Sequence, residues 1–152
     1  MRGGAIKGDS MTEANARFIM SEIHRIGNYE KLIIEYTDEL RRIRQKLDDL
    51  ASLPSSSNYD GVKAENNHVE ISTKINNLLS DEQEVLECRE KVQARLELAE
   101  SYKRQVIAQT NQDKFMVDFI DKMPYRKMSH IHGYENPYEH MISIMKGLNI
   151  KI

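Results

Sequence analysis

Three histidines, His130, His132 and His140, fall close together near the end of a 152-residue chain, and imidazole is the commonest metal ligand among side chains. A His-x-His pair on a short helix points in two directions, however, and no Cys or carboxylate follows at ligand spacing. No metal is therefore expected, and histidines at the surface or against a partner are the favoured reading. The single thiol, Cys88, stands beside Arg89 in a helical pattern, where a small apolar filler is favoured over a reactive group. Tyr125, Tyr134 and Tyr138 have two readings: they stack on bases or anchor a partner, or they close a small core with their hydroxyls at its rim. The core reading is the favoured one. No Gly-rich phosphate loop, nucleophile elbow, His-Glu-x-x-His or paired-carboxylate arrangement is present, so neither catalysis nor a cofactor is expected.

The composition agrees with a binding protein. With 39% hydrophobic and 30% charged residues, no Trp and only three Pro, the chain departs from an average globular domain towards long, solvated helices. Lys and Arg number 22 against 24 Asp and Glu, so no overall field draws it onto nucleic acid or an anionic membrane, and any such contact has to be local. One cysteine makes no internal disulfide, which fits a reducing compartment, and neither an apolar run of membrane-spanning length nor a signal peptide is evident; the cytoplasm is expected. Residues 1–10 carry three Gly and precede a second Met, Met11, and read as a tag or an alternative start, disordered or outside the fold.

The elements that position these residues follow from periodicity. Thr12 to Ile26 reads as a helix with Thr12 as N-cap, Phe18, Ile19, Ile23 and Ile26 on one face, and Gly27-Asn28 as its end. Tyr29, Ile33, Tyr36, Leu40, Ile43, Leu47 and Leu50 then alternate at spacings of four and three, a heptad seam that predicts a helix packed along its length against another. Leu53-Pro54 stops it, and Ser55 to Gly61 is turn and loop chemistry. Ile71, Ile75, Leu78, Val85, Val92, Leu96, Ala99 and Val106 continue a seven-residue spacing. Glu82, Arg89 and Lys103 intrude on that seam, and a capping box at Ser80 leaves open one long helix or two shorter ones to about Gln109. The short connection favours antiparallel packing of the two arms within residues 11–110. The seam either satisfies itself in one chain or joins a second copy, and a homodimer through Tyr29 to Leu50 is the slightly favoured alternative.

Residues 115–152 differ in character, holding five of the eight Met and two of the three Pro, and are expected to form a separate compact module. Phe115–Lys122 and Tyr125–His132 read as short helices, Gly133 as a tight turn, and Asn136-Pro137 as the capped start of a helix to about Leu148 with Tyr138, Met141, Met145 and Leu148 inward. Met116, Met123, Met128, Met141 and Met145 suit a small adaptable core, or, where exposed, a permissive protein-binding groove. The expected fold is thus all-α: a long antiparallel coiled-coil hairpin followed by a three-helix, helix-turn-helix-like module.

This layout resembles the small phage and prophage regulators of the ArpU/RinA type, which carry a coiled-coil hairpin and a helix-turn-helix similar to region 4 of sigma factors. The resemblance rests on the arm ending Leu50-Ala51-Ser52-Leu53-Pro54, the linker Ser55–Asn58, and Phe119-Ile120-Asp121-Lys122-Met123-Pro124-Tyr125 leading to Met128-Ser129 and Gly133-Tyr134, over roughly residues 29–148. It implies a transcriptional regulator whose last helix enters the major groove, with Asn136, Glu139, His140, Ser143 and Lys146 outward and Arg126, Lys127 and His130 beside them. Lys122, Arg126, Lys127, Lys146 and Lys151 against Asp118, Asp121, Glu135 and Glu139 leave the module one charge positive, so phosphate affinity is expected to be modest. The partner is accordingly DNA, or else a host protein on which the same module docks as an inhibitor or adaptor, as an anti-defence protein would. A purely structural coiled-coil assembly factor is a third reading, one that leaves the His- and Tyr-bearing end without a task.

Overall fold

The computed structural model describes residues 11–53 and 61–151, the side chains of 61–68 excepted. Its helices are α1 (Glu13–His24), α2 (Ile26–Ala51), α3 (Gly61–Gln109), α4 (Lys114–Ile120), α5 (Tyr125–His132) and α6 (Pro137–Lys146). No strand occurs among the described residues, in agreement with the all-α expectation. No helix among them is long and apolar enough to cross a membrane. Residues 1–10, read as a tag, and most of the loop expected after Leu53 lie outside the described residues.

Thr12 is extended and its Oγ1 accepts the Asn15 N–H at 3.0 Å, so one of the orphan amides of the first turn is satisfied by the expected cap. The end of α1 differs from expectation. The break falls at Arg25, whose N–H is shared between Glu22 O and Ile23 O, while Gly27 and Asn28 lie inside α2. A bend at one residue does not need glycine when the ladder resumes at once, as it does here with Tyr29 N–H donating to Arg25 O at 2.9 Å. The alternatives at Ser80 resolve to a single helix, because Leu78, Glu82 and Val85 keep one face turned inward across that point.

The chain divides into two compact units, Met1–Tyr29 with Arg95–Ile152, and Glu30–Ala94. The boundary expected near residues 110–115 is therefore displaced. Met116, Met128, Met141 and Met145 do not close a core among themselves; they share one with Ala16, Ile19 and Ile23 of α1 and with Tyr102 and Val106 of α3. Three short helices expose too much of their apolar faces to be stable alone, and α1 and the end of α3 supply the missing surface. Tyr102, absent from the expected core, is completely buried, and its hydroxyl has no hydrogen-bond partner.

Two Schellman turns join the helices of this first unit. At the end of α3, Gln112 N–H donates to Ile107 O and Asn111 N–H to Ala108 O, with Asn111 and Gln112 at φ 53° and 59°. At the end of α4, Met123 N–H donates to Asp118 O and Lys122 N–H to Phe119 O, with Lys122 at φ 63° where glycine is usual. The chain end is held by two glutamines one turn apart on α3. Gln109 exchanges two hydrogen bonds with the backbone of Asn149, both 2.8 Å, and Gln105 does the same with Lys151 at 2.9 and 3.5 Å. Four residues of helix rise about 6 Å and two residues of extended chain about 6.6 Å, so the two spacings match. Ile150, between them, turns into the core.

One charged side chain is buried among the described residues: Glu22, 3% exposed. Both its oxygens accept from the Tyr29 hydroxyl at 2.9 Å and from Arg95 Nη2 at 3.3 Å, and Arg25 lies 3.5 Å away. The Arg95 guanidinium also sits 5.3 Å from the centre of the Tyr29 ring. Burial first, and the Glu22 carboxylate next, raise the Tyr29 hydroxyl above its ordinary pKa of 10.0, which keeps it a donor at any physiological pH.

In the second unit, Tyr36, Leu40, Ile43 and Leu47 of α2 pack against Ile75, Leu78 and Val85 of α3. The pairing runs in opposite chain directions, since Thr37 meets Arg89 at 3.3 Å and Arg44 meets Glu82 at 2.7 Å. Glu82 and Arg89, which interrupt the apolar seam, thus find partners across it.

Glu22→Ala is expected to destabilise the protein by about 2 kcal/mol in urea unfolding, because the buried Tyr29 hydroxyl loses its acceptor while half-exposed Arg95 returns to water. An unchanged midpoint would show the network to be incidental. Leu47→Ala, at a position 8% exposed, is expected to cost about 2–3 kcal/mol and to lower helicity measured by circular dichroism; full retention of both would remove the basis for the α2–α3 seam.

Candidate functional site

The segment α5–turn–α6 carries most of the residues expected to meet a partner. Gly133 caps α5 in the left-handed region, φ 78°, its N–H donating to Ser129 O at 2.8 Å. Three residues later Asn136 Oδ1 accepts Glu139 N–H at 3.2 Å and Pro137 opens α6, so the start of the last helix is fixed by local cap chemistry. Met128 below α5 and Met141, Ile142 and Met145 below α6 are buried, which leaves Arg126, Lys127, His130, Asn136, Glu139, Ser143 and Lys146 exposed. These exposed residues include three cations, Arg126, Lys127 and Lys146, and one carboxylate, Glu139.

His140 departs from the expected outward set. It adjoins buried Met141 at the edge of the apolar face, and its ring stacks on Tyr134 with centroids 3.6 Å apart and meets Phe115 edge-on at 4.5 Å. His132 also turns in: its Nε2 donates to Asp118 Oδ2 at 2.8 Å, and its ring meets Phe115 edge-on at 5.4 Å. His130 alone of the three is exposed, and among the described residues no group of three His, Cys, Asp or Glu side chains is placed to hold a metal. The Asp118 hydrogen bond fixes the orientation of the His132 ring. Cys88 is exposed, not the apolar filler expected. The tyrosines divide: Tyr138 is half-buried under the Arg17 guanidinium, 5.8 Å from its ring centre, whereas Tyr125 and Tyr134 are exposed.

The seam residues expected to bring two copies together are largely occupied within the chain. Tyr36, Leu40, Ile43 and Leu47 pack on α3, Tyr29 belongs to the other unit through Glu22, and Ile33 and Leu50 are half-buried. A homodimer through that seam therefore loses most of its apolar surface.

Sequence reasoning passed over Glu22, Arg95 and His24. A signal for the first was present: Glu22 lies between Ile19 and Ile23 on the apolar stripe of α1, where a solvated carboxylate does not belong. His24 Nε2 donates to the Phe119 carbonyl at 2.8 Å and its ring stacks on Phe119, centroids 5.6 Å apart. Burial lowers its pKa below 6.5, with the Phe119 carbonyl opposing and nearby Lys122 adding to the shift. Comparison with protein-family models, curated proteins and solved structures finds no match.

The lowered His24 pKa favours the fold while the ring is neutral. That contribution is complete above 6.5 and is lost as the pH falls through and below that value, because folding then has to keep the ring uncharged or bury its charge. The urea midpoint is expected to drop between pH 7.5 and pH 5.5 in the natural protein and to drop less in His24→Gln. Equal slopes would place the acid sensitivity elsewhere.

Proposed function

We propose that the protein acts by binding a macromolecule through the exposed face of α5 and α6, as a phage-type regulator that touches DNA or the transcription machinery. The observation that carries this reading is the succession of α5, the left-handed Gly133 and the capped α6, with Arg126, Lys127 and Lys146 all exposed along it. The layout supports likeness to the ArpU/RinA-type regulators: α2 and α3, paired in opposite directions, correspond to their coiled-coil hairpin, and α4 to α6 to their helix-turn-helix. In this reading α6 enters the groove with Asn136, Ser143 and Lys146 forward, the protein works in the cytoplasm, and it is a binder, not a catalyst.

A second reading is favoured by a specific observation. Ile131 is 47% exposed and Tyr134 38% exposed on the segment that also carries exposed Glu139, which suits docking on a protein as an inhibitor or adaptor.

Fluorescence anisotropy of a labelled duplex separates the two. Binding at low salt that weakens steeply as salt rises, with the slope falling by about 0.9 for each of Arg126→Glu, Lys127→Glu and Lys146→Glu, is the expected result for a DNA binder. Absence of binding at low salt would retire the DNA reading and favour the protein partner.

A further inference from the structure

A second surface of the first unit has a different character. Between α1, the start of α2 and the turn after α4 lies a recess of about 500 Å³, within the range of about 300–1,000 Å³ usual for small-ligand pockets. Every lining residue with a formal charge is basic: Arg17, Arg25 and Lys122. Two carboxylates touch these cations, Glu13 at 3.5 Å from Arg17 and Glu22 at 3.5 Å from Arg25. The first pair is more than half exposed, and Glu22 is already shared with Tyr29 and Arg95, so both arginines keep much of their capacity to bind an anion.

Four rings, His24, Phe119, Tyr125 and Tyr138, line the recess as well, with Met20, Ser21 and Asn28 completing the wall. Phe119 stacks on His24, centroids 5.6 Å and planes 19° apart, and on Tyr125, 5.9 Å and 30°; Tyr125 is 53% exposed. Tyr138 lines the same recess beneath the Arg17 guanidinium. Lys122 is held here in the left-handed region, φ 63°, at a cap position where glycine would be unstrained.

We propose that this recess binds a nucleotide, its phosphate against Arg17, Arg25 and Lys122 and its base continuing the ring stack on Tyr125. Cations that track phosphate beside an exposed ring that takes a base are the two components of single-strand and nucleotide recognition. The nucleotide comes either free or as a unit of an unpaired strand. The inference goes beyond the duplex-binding reading and does not need it, because none of Arg17, Arg25, Lys122 or Tyr125 belongs to the face of α5 and α6 assigned to the groove.

Isothermal titration of the full chain with AMP, with a deoxyadenylate pentamer, with inorganic phosphate and with adenosine tests it. AMP is expected to bind at least about tenfold more tightly than phosphate or adenosine alone. Tyr125→Ala and Arg17→Gln are each expected to weaken AMP about tenfold. Lys122→Gly is expected to weaken AMP while raising the thermal midpoint, a pair of opposite effects that loss of folding does not produce. Binding of the pentamer without AMP would assign the site to an unpaired strand. Failure of both to bind, phosphate binding as tightly as AMP, or folded variants that bind like the natural protein would each overturn the proposal. Lys146→Glu, outside the recess, is expected to leave AMP binding intact even if duplex binding is lost, so the two ideas fail separately.

Discussion

A carboxylate removed from water has to be surrounded by donors, and the first unit is arranged around one such group. Glu22 accepts from Tyr29, seven residues on, and from Arg95, seventy-three residues on, so a single side chain ties α1, the start of α2 and the second half of α3 to a common point. Such a network contributes less net stability than its contacts suggest, since desolvation of the ion offsets most of the gain. Its effect is on register: no slide of α3 along α1 keeps Arg95 within reach of Glu22 and at the same time keeps Tyr102 and Val106 in the core. With that register set, the methionines of α5 and α6 find a shaped surface on which to settle.

Methionine suits this role. Met116, Met128, Met141 and Met145 are completely buried in a core shared with α1 and the end of α3, and unbranched side chains of this kind fill irregular space between elements. A core of that kind tolerates the displacement of its surface helices better than one of branched residues. The two regions of functional interest are built on the same core, the exposed side chains of α5 and α6 on one set of its helices and the recess beside α1 on another.

Features decided by local chemistry were legible in the residue order. Thr12 and Asn136 announce helix starts because a side-chain oxygen three residues before an orphan amide is a short-range device, and Gly133 announces a turn because only glycine adopts its backbone without cost. The heptad spacing of α2 translated into the buried Ile43 and Leu47. What stayed hidden depends on contacts between distant segments. Nothing near Met141 or Met145 shows that they share a core with Ala16 and Ile19, and His140 reads as outward until Phe115 and Tyr134 are placed beside it. Gln112 and Lys122 in the left-handed region were equally illegible, because their residue types give no sign of it, whereas Asn111 is of a type that favours that region. The recess was missed for the same reason, since Arg17, Arg25, Lys122 and Tyr125 are gathered from two stretches far apart in the chain.

The first unit is discontinuous, with all of Glu30–Ala94 interposed between its two parts. Bringing Arg95 to Glu22 from an unstructured chain closes a loop of that whole length, an entropy cost on the order of 4 kcal/mol that has to be met before any core contact is made. If α2 and α3 pair first, the ends of the interposed segment arrive already side by side and most of that cost has been met by local helix formation. The heptad seam is then less a surface for another molecule than a kinetic device, a zipper whose closure sets how fast the distant halves of the core can meet.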